Sequence, residues 1–496
     1  MNHQYPSRKT QSPKKRLRGL LHLTLILVLA LTTLCLFSCL TPSERGKQTD
    51  PSGLTLELND DGASYAVTGI GTYADSALVI PSTFNGKPVT AIERNAFSSA
   101  HKINSVVIPD SVTTIKANAF GFCRHLISVK LGKGVASIEE RAFDYCSSLV
   151  EIINNSSLVI TAGASDNGNI ALNALSVHNG ESKLVKENGF LFITHDGTSY
   201  LAAYDGNDEA ISLPASYNGN GYEILTHAFY QTATLKSVSI PAAVTVIGDR
   251  AFSNCSNLSE INIAEGVTEI GEYAFNACKA TSLTLPGSIS AIGDSAFAQC
   301  YNLAEVTLGG AIEDIGELVF ADCGKLSKVN VKSLNDWLGN DINPFGGSQY
   351  YDLFVDGEKL EEAVIPSGVT SIGKGAFFRC RSIKSVELHE GVTEIGESAF
   401  RSCPFIEEIV FPDGVKTIGD YAFNDCEALT RVVFGKDVNY IGFEAFVGCN
   451  ITKAIFKDPN GWKREYVMGE KYDINVTDER AILSALSISN YCLIKE

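Results

Sequence analysis

Ten of the thirteen cysteines stand three residues after a phenylalanine: Cys123, Cys146, Cys255, Cys278, Cys300, Cys323, Cys380, Cys403, Cys426 and Cys449. Thiols at so regular a spacing could pair as disulfides, hold a metal or act as nucleophiles. Metal binding needs converging ligands, yet the chain has no C-x-x-C and only eight scattered histidines. Disulfides between neighbouring repeats stay open, because the cysteines come in blocks of two, four and four. The same slot, however, holds Ala100 and Thr232 in two further repeats, as a site for a small side chain would. Identical side chains in stacked repeats also point the same way rather than toward each other. A ladder of buried thiols beside the phenylalanines is therefore expected, with Phe120, Cys123, Phe252, Cys255, Phe275, Cys278, Phe400, Cys403, Phe423 and Cys426 among its members. Other patterns lack their context. GIGTYA (Gly69 to Ala74) precedes no helical pattern, and DGNDE (Asp205 to Glu209) reads as a solvated turn rather than a calcium loop. With no G-x-S-x-G, H-E-x-x-H or phosphate loop present, no catalytic residue, cofactor or metal is assigned, and the chain reads as a non-enzyme.

What must position those thiols is a repeat. Phenylalanine recurs at 97, 120 and 143, at 229, 252, 275, 297 and 320, and at 377, 400, 423 and 446. Steps within a block are 23 residues, except 22 between Phe275 and Phe297. The unit reads L-x-x-V-x-I-P-x-x-V-T-x-I-G-x-x-A-F-x-x-C. Leu258, Ile261 and Ile263 suit a short strand with one face inward, and the proline after it, as at Pro241, ends the strand because it lacks an N–H. Val267 and Ile270 return the chain to the core, which Ala274 and Phe275 fill from the far side. Glycine after the second isoleucine, as at Gly248, Gly271 and Gly396, suits positive φ; Glu93, Lys116 and Glu139 in that slot show it is not obligatory. No unit of this length buries its apolar side alone, whereas stacked units share one continuous interior. The fold expected is a right-handed α/β leucine-rich-repeat solenoid: parallel strands on one side, short helical or 3-10 turns on the other, and β-hairpin modules at the array starts.

Interruptions of the rhythm mark the organisation. DGASY leading to IPSTFNG (61–86) is echoed by DGTSY leading to LPASYNG (196–219). Asp-Gly and Asn-Gly between β-formers are hairpin turns. Residues 54–92 are thus read as an N-terminal hairpin cap, 93–152 as a first array and 153–226 as a hairpin-containing insertion. A second array follows over 227–330, an aromatic-rich insertion with Trp337, Phe345, Tyr350, Tyr351 and Phe354 over 331–363, and a third array over 364–457. Residues 458–496 form a C-terminal cap, with a helix near DERAILSALS capped by Asp478.

The first 38 residues hold six Lys/Arg and no acid, then an apolar run ending LFSC at Cys39. A basic head before an apolar stretch is an export signal. LFSC resembles the lipobox of bacterial lipoproteins, which implies lipidation at Cys39 after removal of 1–38; an uncleaved signal anchor is the alternative. Residues 39–53 then form a tether. The formal net charge of the whole chain is −17, a surface that repels phosphate backbones and excludes nucleic acid as a partner.

The 23-residue unit with A-F-x-x-C, the insertion with Trp337 and the closing GWKR (Gly461 to Arg464) resemble the BspA-like leucine-rich repeat surface proteins. The resemblance spans about residues 54–496. It implies a cell-envelope lipoprotein, exposed on the outer membrane, that adheres to host matrix proteins or other microbes and touches membrane only through its N-terminal lipid. Alternatives are an envelope scaffold and a glycan-capturing lipoprotein. Solenoids present outward strand positions as one extended surface, so the candidate partner-binding face comprises Ser259, Glu260, Asn262, Glu305, Thr307, Lys328, Asn330, Lys384, Glu387, Glu407, Thr430 and Arg431, with Ser385 and Glu408 beside them. No aromatic row for sugar stacking lies among them.

Overall fold

The computed structural model describes residues 46–338, 350–466, 469–488 and 491–495. The leader, Cys39, the start of the tether and Phe345 lie outside the described residues. Every coil has three sides, and each side is hydrogen-bonded to the next coil over most of the array, with breaks in the first ladder after Glu260–Ile263 and after Ser385–Glu387. The first is the expected ladder of parallel strands, such as Ser237–Ile240 beside Glu260–Ile263. The second is a further ladder of short strands at the T-x-I position, as Val244–Ile247, Glu269–Ile270, Ala291–Ile292 and Asp314–Ile315. The period-2 alternation there is too short to announce a strand; only the neighbouring coil turns two extended residues into a sheet.

The third side consists of turns around A-F-x-x-C, and its regularity comes from left-handed residues. The positions two before and two after each phenylalanine have positive φ, for example Tyr273 at 55° and Ala277 at 58°. This alternation points every second N–H along the stack. Tyr273, Phe275 and Ala277 donate to the carbonyls of Asp294, Ala296 and Ala298 at 3.0, 2.8 and 2.9 Å, while Ala274 and Asn276 donate back within the turn. The backbone of the turns is thereby satisfied although it forms no regular helix.

Phenylalanine rings fill the space between the three sides. Phe252, Phe275 and Phe297 lie in one near-parallel stack, with centroids 5.1 and 5.3 Å apart. The same stack runs through Phe97, Phe120 and Phe143 and through Phe377, Phe400, Phe423 and Phe446. The glycines after the second isoleucine serve a purpose other than the expected one. Gly248, Gly271 and Gly396 do not have positive φ. Instead, a Cβ on Gly271 would stand 2.6 Å from the Asp249 nitrogen and 2.9 Å from the Gly248 carbonyl carbon. The residue is small because consecutive coils touch there through their backbones.

The interior is two bodies rather than one. One apolar core runs from Leu54 to Ala174, the other from Phe190 to Leu493. They part at the first insertion because the hairpin Phe190–His195 with Thr198–Tyr204, turning at Asp196-Gly197, opens a new stack. Its outer residues Ile193, Ala202 and Ala203 pack against Ile127 and Val150 on the flank of the first array. The second insertion does not divide the core. Asp352–Val355 pairs with Lys328–Val331 and continues the ladder, and Trp337 and Tyr351 are buried in it. At the C-terminus the strands Trp462–Tyr466, Lys471–Asp473 and Tyr491–Lys495 close the second ladder antiparallel to Tyr440–Ile441. The helix Glu479–Leu486 carries the Asp478 cap, which accepts from the nitrogens of Arg480 and Ala481.

At the end of the first array a carboxylate is buried outright. Glu151 accepts from the hydroxyls of Ser128 and Ser182 at 2.8 and 2.7 Å and from the Lys183 N–H, and lies 3.2 Å from His178 Nε2. Burial alone would raise its pKa, but the donors from Ser182, Lys183, Ser128 and His178 outweigh that and hold it below the ordinary value. A depressed carboxylate stabilises the fold above its unfolded pKa, near 4.3, and loses that contribution as pH falls through the folded value. Glu151→Gln leaves two or more donors unmatched and is expected to destabilise the first array by about 1–3 kcal/mol at neutral pH. The deficit against the parent should shrink below pH 4. Urea midpoints at pH 7 and pH 3.5 check it.

Candidate functional site

The twelve strand positions proposed as a binding face all lie on the outer side of the first ladder, exposed or half-buried, while their inward neighbours Ile261, Val306, Val329, Ile409 and Val432 are buried. Much of their charge is spent between coils. Glu305 pairs with Lys328 at 2.7 Å, Lys384 with Glu361 at 2.7 Å, and Arg431 with Glu408. Lys328 also caps the ring of Phe354 at 4.9 Å. Thr430 donates to the Glu407 carbonyl and Ser259 to that of Lys236. Asn330 Oδ1 accepts from the Gly357 N–H at 3.2 Å, and the side chains of Glu260, Asn262, Thr307 and Glu387 face outward.

This face opens after Glu260–Ile263. The 22-residue step between Phe275 and Phe297 removes a residue before Leu283, and Ser282–Leu285 no longer joins the sheet of Glu260–Ile263. The gap is a cleft of about 360 Å³ lined by Ser259, Glu260, Asn262, Thr281, Ser282 and Thr284. Three of the proposed residues thus meet in one concavity bordered by unpaired strand edge. The remaining nine are spread along the later coils.

The turn side carries chemistry that the repeat pattern did not announce. Left-handed positions there hold Phe122, Tyr145, Arg250, Tyr273, Arg379 and Tyr421, where Asn or Gly would be least strained. Arg250 lies over Tyr273 at 4.6 Å, Arg379 over Phe378 at 5.2 Å, and Arg401 over Tyr421 at 5.1 Å. The signal available in sequence was the variability of these two positions within an otherwise repetitive unit.

The repeat thiols have a specific partner. Nine of the ten donate to the phenylalanine carbonyl of the preceding coil, among them Cys123 to Phe97 at 3.0 Å, Cys255 to Phe229 at 3.0 Å, Cys278 to Phe252 at 3.4 Å, Cys403 to Phe377 and Cys426 to Phe400 at 3.1 Å, while Cys380 contacts the Ser382 hydroxyl at 3.2 Å. Ala100 and Thr232 sit in the first coils of their phenylalanine blocks; Cys380 does too, and its thiol turns to Ser382 instead of to a ring carbonyl. Among the described residues the cysteines are free and none is disulfide-bonded. Burial pushes Cys123 and Cys255 up to about 12 and Cys146, Cys278, Cys403 and Cys426 well upward too. Thiols so protonated are poor nucleophiles and poor ligands. Among the described residues no group of three or more His, Cys, Asp or Glu is placed to hold a metal ion, and no helix is long and apolar enough to cross a membrane.

Stacked coils with an open strand face and an individual turn face define a leucine-rich-repeat solenoid, a class whose members work through extended surfaces. The family is equally plain: the chain belongs to the BspA-type leucine-rich repeat proteins, whose model matches residues 75–183, 222–344 and 349–464. Solved structures share the class. A leucine-rich repeat protein from Bacteroides ovatus is 20% identical, with 82% of this chain and 94% of that one covered and a TM-score of 0.36. A leucine-rich cell surface protein from Faecalibacterium prausnitzii is 23% identical over 85% and 97%, TM-score 0.33. A leucine-rich repeat protein from Bacteroides capillosus is 31% identical over 26% of this chain and 100% of its own, TM-score 0.23. No curated protein matches the chain.

Proposed function

We propose that this chain is a lipid-anchored protein of the cell surface that binds protein ligands on host matrix or on other microbes. One observation carries the binding: inward strand positions keep an aliphatic side chain from coil to coil, whereas outward ones vary in charge and polarity, so the fold leaves the outer face free for recognition. Small polar residues with few unpaired charges suit a protein partner, since polar contacts set specificity there. The membrane contact is the acyl chain on Cys39, and the tether after it carries the solenoid clear of the envelope.

Two experiments test this reading. Cys39→Ala should abolish incorporation of labelled palmitate and leave the leader uncleaved, so that the chain runs larger than the parent; a parent that carries no label and keeps its leader would be a signal anchor instead. Residues 46–496 immobilised and screened against matrix and microbial surface proteins should retain at least one of them. Replacing Thr307 and Asn330 together with Arg should weaken that capture about tenfold or more, as burying two unmatched charges does. If no such protein is retained, and cells lacking the chain adhere as well as the parent, the adhesion reading fails.

A further inference from the structure

Between the turn sides of the first and second arrays lies a second concavity, of about 420 Å³, whose lining includes Arg124, Tyr145, Ser147, His227, Arg250 and Tyr273. Its walls come from both bodies of the molecule. Arg124 reaches across from the first array and donates to the Tyr230 hydroxyl at 2.7 Å, with its guanidinium 5.6 Å from that ring. Tyr145 is well exposed and lies flat against Phe122, centroids 4.7 Å apart. One ring face is therefore supported from behind, and the other looks outward.

Two features set this cleft apart from an ordinary crevice. First, it gathers two arginines on a chain of net charge −17. Arg250 has Glu272 at 3.2 Å and Asp249 lies near His227, whereas among the described residues Arg124 has the Tyr230 phenol as its polar partner and no carboxylate. Burial, then Arg250 and Arg124, pushes His227 down to about 4, so the imidazole stays neutral and presents a donor or acceptor rather than a third charge. Second, two polar atoms in the lining are buried with no hydrogen-bond partner, Ser147 Oγ and His227 Nδ1. Unpaired buried polar atoms are rare and call for a group that satisfies them. Tyr145, His227, Arg250 and Tyr273 sit at the left-handed turn positions that every coil has, and the turn side of the coils aims their side chains toward the cleft.

We infer that this inter-array cleft binds a single sugar ring that carries a carboxylate. The Arg124 fork matches a carboxylate in two-point geometry. The outer face of Tyr145 offers an apolar plane to the C–H side of a pyranose, and Ser147 Oγ and His227 Nδ1 offer partners for ring hydroxyls. The volume suits a ligand of that size and not a folded partner. This site goes beyond the strand-face reading, lies on the other side of the coil and takes a different class of ligand.

The test is calorimetric titration of the soluble chain, residues 46–496, with glucuronate, and with glucose and glutamate as comparisons. Glucuronate should bind with a dissociation constant in the millimolar range or below, and glucose or glutamate about tenfold more weakly, because each lacks one of the two recognised features. Arg124→Gln should lose about tenfold in glucuronate affinity. Tyr145→Asn, a residue at ease in left-handed backbone, should lose several-fold while leaving the thermal midpoint unchanged or raised. Absence of glucuronate binding up to about ten millimolar, equal affinity for glutamate, or unaltered affinity in both variants overturns the proposal. Strand-face variants such as Thr307→Arg leave the titration unchanged if the two sites are separate, so this result and the protein-binding screen can fail independently.

Discussion

Phe275→Ala should split the unfolding of the second stack into two transitions and destabilise it by about 3–5 kcal/mol. The ring is fully buried and lies flat between Phe252 and Phe297, so truncation leaves a cavity and removes two ring contacts at once. A solenoid is held by the interfaces between neighbouring coils, with no distant part of the chain to share the loss. The weakened interfaces on both sides of coil 275 then become the place where the array parts. Urea unfolding followed by circular dichroism should show an early transition absent from the parent. Labelling of Cys255, Cys278 and Cys300 at intermediate urea should accompany it. Phe405→Ala removes a ring that is 52% exposed and is expected to change stability by less than about 0.5 kcal/mol. Equal effects of the two changes would mean that the ring stack does not carry the coil interfaces.

Alkali should unfold the arrays well before it affects most folded proteins. In the native chain burial holds the repeat thiols protonated, with Cys123 and Cys255 at about 12 and Cys403 and Cys426 pushed well upward. In the unfolded chain a thiol ionises near 8.5. Above that pH the unfolded state has lost protons that the native state keeps, so stability is complete below about pH 8.5 and falls as pH rises toward the folded values. At pH 9.5 each such thiol should have lowered stability by about 1.4 kcal/mol, and the thiols of one array act together. Urea midpoints at pH 7.5 and 9.5 under reducing conditions measure it. Replacing Cys403 and Cys426 with Ala should reduce the alkaline loss of the third array by about 3 kcal/mol, at some expense of stability at pH 7.5. A parent chain indifferent to this pH change would mean that its cysteines are bridged in pairs.

How far the amino-acid order reaches can be judged from particular residues. The period, the inward residues and the phenylalanine stack follow from spacing alone, because each coil repeats the same local problem of burying one apolar side. The hairpin turns at Asn85-Gly86 and Asp196-Gly197 were legible because those dipeptides adopt left-handed backbone readily, as all four residues do here. So was the Asp478 cap, whose signal is complete within one helical turn. The tertiary structure decided whatever depends on a neighbour distant in the chain. The T-x-I segments become a second sheet only against the next coil. Gly271 is small because the preceding coil's backbone presses on it, not because of its own φ. The cysteine finds a carbonyl 26 residues away, which a reading of small, space-filling side chains had no means to supply. Division of the interior at residues 175–190 and the cleft between the arrays are further removed still: Arg124 meets Tyr230 across 106 residues. Local spacing specifies how one coil is made, since the forces that shape it act within a few residues. Where stacks begin, end and lean on each other depends on surfaces that exist only after the coils have formed.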